Sequence, residues 1–283
     1  MIASLPLSRA FRLGSAAYLL AFFAFLFLPL AVVAVFAFND APYPAPPWRG
    51  ATLAWFIGDA ARGRVGLLAD AALLRSLATS AWVAVWVTLL SVAVGTANAF
   101  VLERAQFRGK GLLSLLMLAP LVIPGVILGI SILAFASRLA NLADDLWGLE
   151  LDWLRPGLPL VVAGQFAYIC SIATLTIAAH LKRFDRTLEE AAHNLGASRA
   201  AAFFTVTLPY LRPALVGSAA ISFLMSFENF NTTLMLVGSE PPLTILMYGR
   251  MREGATPVLN AVSLLLMLAS AALALLLMRR RPA

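Results

Sequence analysis

HLKRFDRTLEEAAHNLGASRAAAFFTVTLPYLRP, His180–Pro213, is a polar and partly helical stretch set between two long apolar runs. Antiparallel neighbouring helices are usually joined by about 2 to 8 residues, so this connection carries structure of its own. Thr187 followed by Glu190 reads as a capping box, and Gly196 can take the positive φ that ends a helix. Ser198 can cap a second helix running to about Thr207, where Leu208 and Pro209 are expected to stop it. The expectation is a helix, a turn and a helix over about 184–209.

Outward from this hairpin the chain is dominated by apolar runs. Of its 283 residues 61% are hydrophobic and 12% charged, where a soluble domain carries about a quarter charged residues. Mean hydropathy is +0.87. A helix needs roughly 20 apolar residues to cross a hydrocarbon core about 30 Å thick. Six runs satisfy this: about 15–38, 76–102, 111–136, 158–179, 214–237 and 257–278. The fold class expected is therefore all-α, a polytopic membrane protein with six transmembrane helices in one domain spanning 1–283. The first run is longer than a signal-peptide core and ends without a small-residue cleavage site, so it is expected to be a permanent span.

The net charge of +7 could suggest nucleic acid, but its placement argues otherwise. Arg9, Arg12, Arg104, Arg108, Lys110, Lys182, Arg183, Arg186, Arg199, Arg212, Arg279, Arg280 and Arg281 are most of the 21 cations, and all fall on one side of the six runs. Lys and Arg in short loops are retained on the cytoplasmic face during insertion. Both termini and the hairpin are then expected inside a bacterial cytoplasmic membrane, and lipid, with no nucleic acid, is the expected surrounding partner. Cys170 lies within the fourth run and reads as a small buried apolar residue. His180 and His193 have no companions at ligand spacing, so no metal site is expected.

On the opposite side, 39–75 forms the longest connection, with the Pro-rich APYPAPP at 41–47 and a possible short interfacial helix around Trp55 and Phe56. In the third run, Pro120 and Pro124 free backbone carbonyls that need protein partners, and Gly125 and Gly129 permit close helix approach.

The hairpin carries a resemblance. Glu190, Ala191 and Ala192 are followed after three residues by Gly196, and after nine more by Val206, Thr207, Leu208 and Pro209. This resembles the signature of permease subunits of binding-protein-dependent ABC importers, with Val in place of Ile. FND at 38–40, LERAQFRGKG at 102–111 and PLVIPGVILGISIL at 120–133 are similar to the same family's type I transmembrane domain. SFENFNTTLMLVG at 226–238 and the ending from Pro242 look most like the second permease subunit of spermidine and putrescine importers. The resemblance implies a hairpin that docks on an ATPase through Glu189, Glu190, Ala191, Ala192, Gly196, Ala197, Leu208 and Pro209. It also implies two ATP-binding subunits that hold ATP and magnesium, a second and related permease subunit, and a periplasmic or extracellular substrate-binding protein. The residues suit that role: two alanines leave a flat surface, and two glutamates favour a helix N-terminus. A bland alternative is a hairpin resting on lipid headgroups through Phe203 and Phe204.

No cofactor is expected in the chain itself. The Gly109-Lys110 pair is followed by Gly111, and Arg104 stands where a phosphate-binding loop needs its first glycine. The expected role is a non-catalytic transport subunit.

Glu228 is the one ionisable residue deep within an expected span, followed by Asn229, Asn231 and Thr232. A carboxylate in lipid is costly enough to face a cavity or a partner. On a continuous helix Glu228, Asn231 and Thr232 would share a face, and that face is expected to line the substrate path, with a structural carboxyl as the alternative. Asn98, Gln165 and Tyr168 are weaker pathway candidates that interhelical hydrogen bonding would equally explain. With no Lys or Arg inside the expected spans, a cationic or neutral solute such as a polyamine fits best. Permeases for iron, thiamine or an amino-acid derivative, an ATP-independent secondary transporter and a membrane enzyme are the rivals.

Overall fold

In the computed structural model, residues 8–254 and 256–279 are described; Arg280 and Arg281 of the expected cytoplasmic cluster lie outside them. The order is α1 Arg9–Phe36, α2 Ala54–Ile57, α3 Ala71–Arg104, α4 Lys110–Val122, α5 Gly125–Trp147 and α6 Leu158–Leu181. Then come α7 Thr187–Asn194, α8 Arg199–Ala202, a π-turn Phe203–Thr207, α9 Leu208–Phe227, α10 Asn231–Leu236, α11 Leu243–Gly254 and α12 Pro257–Arg279. The protein is all-α; the only β features among the described residues are the isolated bridges Asn39–Ala51 and Asp59–Arg64. Among the described residues, five helical stretches are long and apolar enough to cross a membrane: α1, α3, α5, α6 and the run Arg199–Phe227. Lys110–Val122 is a shorter apolar helix, and the Pro257–Ala272 part of α12 is apolar as well.

Two compact units are distinguished. One comprises 1–71 and 250–273, the other 72–249 and 274–283. In the first, α1 begins at Ser8, whose hydroxyl accepts from Phe11 N at 3.2 Å. None of its residues is buried, as befits a helix that is apolar all round and whose solvent is lipid. Beyond it the Pro-rich connection is built around Asn39. The Asn39 side chain donates to Pro47 O and accepts from Arg49 N, while the Trp55 indole donates to Asn39 O at 2.8 Å. The Arg64 guanidinium lies 4.7 Å over the Trp55 ring and, with Arg62, pairs with Asp40. Hydrogen bonds from Arg64 and then Arg62 hold the Asp40 carboxyl below its ordinary range. Arg250 makes a bidentate pair with Asp70 at 2.5 and 3.0 Å.

The second unit is packed around α6. Its core joins Val83 and Val87 of α3, Ala136 and Ala140 of α5, Leu160, Val161 and Ile169 of α6, and Leu236 of α10. Lipid is as apolar as these side chains, so close packing and interhelical hydrogen bonds hold the helices rather than escape from water. Small residues make the approach possible. A Cβ on Gly129 would sit 3.0 Å from Met235 Cβ and 3.1 Å from Thr232 O, and one on Gly95 would sit 2.9 Å from Ala173 Cβ and 3.0 Å from Thr174 N. Gly95→Val should therefore destabilise the α3–α6 contact by about 1–3 kcal/mol through overpacking. Thermal unfolding in detergent checks this, and an unchanged midpoint would show that the helices separate without cost.

Two expected spans are not single helices. The run 111–136 divides at Ile123 and Pro124. Pro124 disfavours the helical conformation of the residue before it, and Ile123 is extended, with φ −78 and ψ 127. α5 then continues past 136, carrying Arg138, to Gly148, which is left-handed at φ 61. The Met117 carbonyl of α4 accepts the Ser171 hydroxyl of α6, an interhelical bond that ties the two helices together. The run 214–237 breaks between α9 and α10, with Glu228 in the bridge conformation, φ −88 and ψ 1.

Candidate functional site: the hairpin and the broken fifth run

α7 starts differently from the expected capping box. Arg186 occupies the N-cap without a side-chain bond, and Asp185 accepts from Thr187 N at 3.0 Å. Thr187 is already inside the helix, so its hydroxyl is one position too late to cap it. The backbone bond from Thr187 is the main reason the exposed Asp185 carboxyl is held below its ordinary value. The helix ends as the sequence suggests: Gly196 has φ +92. Gly196 N bonds His193 O at 2.9 Å and Ala197 N bonds Ala192 O at 3.0 Å, a Schellman closure. Ser198 caps α8, its hydroxyl accepting from Ala201 N at 3.2 Å.

Leu208 and Pro209 do not stop the second helix; they open α9. Proline is tolerated in a first turn because its missing N–H has no intrahelical partner there, and the π-turn Phe203–Thr207 carries α8 into α9. The hairpin is thus rigidly continuous with the fifth run on one side.

Its two glutamates face different ways. Glu190, Ala191 and Gly196 are exposed, Ala192 and Ala197 half-buried, Leu208 half-buried and Pro209 exposed. Leu195 is 90% exposed, a large apolar side chain at the hairpin tip that the motif did not single out. Glu189 turns inward. It takes both Arg104 guanidinium nitrogens at 2.8 Å and also accepts the Thr207 hydroxyl. Burial pushes its carboxyl up, but the bonds from Arg104 and Thr207 and the Arg104 charge outweigh it, so its pKa falls below the ordinary 4.5. A depressed folded pKa adds stability that is complete above that ordinary value and lost as pH falls through the folded one. At neutral pH the Glu189 carboxylate is therefore ionised. Arg104 and Thr207 were not foreseen, because nothing local pairs Arg104 with a residue 85 positions away.

At the break, Glu228 ends α9 and Asn231 begins α10, so Glu228, Asn231 and Thr232 do not share one helix face. The reason lies in Asn229. Its Oδ1 accepts from Thr233 N and Oγ1 at 3.2 and 2.8 Å, and its carbonyl accepts the Thr244 hydroxyl at 2.9 Å. Side chains of this type offer the backbone an alternative to the helix ladder. Asn229 Nδ2 donates to the Tyr168 hydroxyl at 2.5 Å, Gln165 Nε2 donates to Thr233 Oγ1 at 2.8 Å, and Ser226 donates to Gln165 Oε1. Gln165, Tyr168 and Asn229 therefore tie α6 to the break. Thr232 is buried against α5, bonding Gly125 O at 3.3 Å. Asn98 Nδ2 reaches Cys170 Sγ at 3.8 Å. Glu228 and Asn231 remain exposed. Beside them the Phe230 and Tyr248 rings lie 4.9 Å apart, an aromatic pair that sequence reasoning missed. Among the described residues no group of His, Cys, Asp and Glu could hold a metal ion.

Residues 91–280 match the family described as "Binding-protein-dependent transport system inner membrane component". Putrescine transport system permease protein PotI of Escherichia coli (strain K12) is 28% identical over 248 residues, 87% of this chain and 82% of that protein. Spermidine/putrescine transport system permease protein PotC of the same strain is 26% identical over 260 residues, 92% of this chain and 90% of that protein. Sulfate transport system permease protein CysT, also from that strain, is 30% identical over 229 residues, 72% of this chain and 82% of that protein. Among solved structures, a bacterial ABC transporter involved in the import of the acidic polysaccharide alginate superposes with a TM-score of 0.71 at 14% identity, covering 99% of this chain and 100% of that one. An amino acid ABC transporter superposes at 0.55 with 16% identity, covering 74% and 94%.

Proposed function

Because the chain belongs to the family of binding-protein-dependent transport system inner membrane components, we propose that it forms the translocation path for a polyamine. It is a multi-pass inner-membrane permease subunit of an ABC importer and is not itself an ATPase. Such a subunit works with a separate ATPase, a second permease and a substrate-binding protein. Its termini lie in the cytoplasm, and the assembly contains two ATP-binding subunits, which hold the ATP and magnesium. The hairpin docks on one of them through Glu190, Ala191, Leu195 and Gly196, with Ala192, Ala197, Leu208 and Pro209 behind. Closure of the ATPases moves the hairpin and shifts the bundle between two access states, each favoured by its own contacts.

The observation that carries the polyamine reading is the exposed Glu228 at the helix break, beside Asn231 and the Phe230–Tyr248 ring pair. A carboxylate attracts an ammonium group, and aromatic faces attract cations. The relatives named for putrescine and spermidine, which span most of both chains, support the same solute class. The test is a thermal-shift panel on the cognate binding protein with putrescine, spermidine, sulfate, ferric iron, thiamine and amino acids. Stabilisation by the polyamines alone, followed by their ATP-dependent uptake into proteoliposomes, is expected. Stabilisation by sulfate alone would overturn the reading and favour the anion permease likeness.

A further inference from the structure

The cytoplasmic end of α3 is built into the hairpin although it is not adjacent to it in sequence. Arg104, the last residue of α3, grips Glu189 in the first turn of α7 through two parallel 2.8 Å bonds. Its guanidinium is 4.8 Å from the Phe100 ring and 5.7 Å from the Phe184 ring, so it is wedged between two aromatic side chains. Glu189 also takes the hydroxyl of Thr207, which is fully buried in the π-turn that feeds α9. Two further contacts run alongside: Arg186 donates to the Glu103 carbonyl at 3.2 Å, and the Phe100 ring lies 5.6 Å from Phe203 of the π-turn. One carboxylate thus joins three segments, the end of α3, the start of α7 and the start of α9.

We infer that Arg104 and Glu189 are positioning residues that make α3 move with the coupling hairpin, so that the ATPase stroke enters the bundle through α3 as well as through α9. The two halves of this device have distinct physical roles. A planar, bidentate guanidinium–carboxylate pair resists both sliding and twisting, which a single hydrogen bond or a lysine contact does not. Its limited exposure, 27% for the Arg104 side chain and 17% for Glu189, protects it from screening. The π-turn has an off-pattern helical geometry, a feature that recurs at functional sites, and Thr207 ties it to the same carboxylate. Without the pair, the remaining direct bond from the start of α7 to the end of α3 would be the single Arg186–Glu103 contact, which resists twisting poorly, and part of the motion of α7 would be absorbed there. With the pair, α3 is carried along. Glu190, one residue further on, points outward and stays free for the partner.

This inference rests on the docking reading of the hairpin given above, and the experiment separates the two. The complete importer, reconstituted in proteoliposomes with its ATPase, second permease and binding protein, is assayed for solute imported per ATP hydrolysed. Arg104→Gln is expected to keep the ATPase in the purified complex while lowering that ratio at least about fivefold, the low end of ordinary coupling free energies. Arg104→Lys should fall in between, and the charge exchange R104E with E189R should recover most of the ratio. An unchanged ratio in Arg104→Gln overturns the inference, and so does loss of the ATPase from that variant, which would make Arg104 a docking residue. If the unmutated chain itself fails to retain the ATPase, the docking reading is what fails. A second measurement leaves Arg104 and Glu189 intact. Spin labels at positions 101 and 194, with Cys170 replaced by alanine, report the α3–α7 distance with and without ATP. That distance should change by no more than about 2 Å, the scale of a packed helix shift. A larger change would show that α7 moves independently and would overturn the proposal.

Discussion

Replacing Gly196 with valine is expected to release the partner ATPase from the complex while the permease still inserts and folds in the membrane. Gly196 sits at φ +92, a conformation that a β-branched residue adopts only under strain. A Cβ there would meet nothing within 4 Å, so the penalty is conformational and not a clash. Strain of this kind costs about 1–3 kcal/mol. The chain can avoid it by opening the Schellman closure that Gly196 and Ala197 make on His193 and Ala192. Either way, the proposed docking surface of Glu190, Ala191 and Leu195 loses its shape. Affinity for the ATPase should fall roughly 5- to 150-fold, the factor equivalent to that strain. Co-purification of the tagged permease with its ATPase, titrated in detergent, measures this, and membrane yield serves as the control. Full retention of the ATPase would remove the hairpin from the docking interface.

The second large effect is expected at Glu228. Because this side chain is exposed at the end of α9, Glu228→Leu should leave the packing of α9 against α6 intact. It removes the carboxylate that we propose meets an ammonium group of the solute. A charged hydrogen bond is worth about 1.5–3 kcal/mol, so polyamine uptake by the reconstituted importer should drop about 10- to 150-fold. Glu228→Asp should retain a substantial part. Assembly, followed by size-exclusion elution and by thermal unfolding, should be unchanged in both. Wild-type uptake in Glu228→Leu would assign the carboxyl a structural role instead. The neighbouring Asn229 provides a contrast. Its amide holds Tyr168, Thr233 and, through the backbone, Thr244, so substitution there should reduce stability and transport together.

The residues that sequence reading placed correctly are those whose behaviour is local. Gly196 ends α7 and Ser198 caps α8 because a positive φ and a capping hydroxyl depend on the few residues around them. The start of α7 was harder, since Asp185 and Thr187 compete for the same cap and only their relative position decides which is used. Leu208 and Pro209 read as a stop in the sequence but open α9 in the structure, because the π-turn upstream carries the helix into them, and that turn has no strong compositional signal. Pro124 marks the third run as one that needs protein partners, yet 111–136 reads as a single span, and its division at Ile123 is seen only in the structure. The break at Glu228–Phe230 lacks even that mark, because no proline or glycine falls there and the helix is interrupted by hydrogen bonds to Tyr168 and Thr244 from elsewhere in the chain.

Hydropathy was sufficient to point to an all-α membrane protein, because the cost of burying backbone polar groups in lipid favours a helix for each such run, and the resemblance carried from Glu190 to Pro209 pointed to the permease family. Which glutamate faces outward and which is gripped by Arg104, where the fifth run breaks, and which of Glu228, Asn229 and Thr232 remains exposed were decided by tertiary structure. Each of these depends on hydrogen-bond partners brought together from distant positions, 85 residues apart for Arg104 and Glu189 and 61 for Tyr168 and Asn229. A linear pattern holds no record of such meetings until the helices have packed.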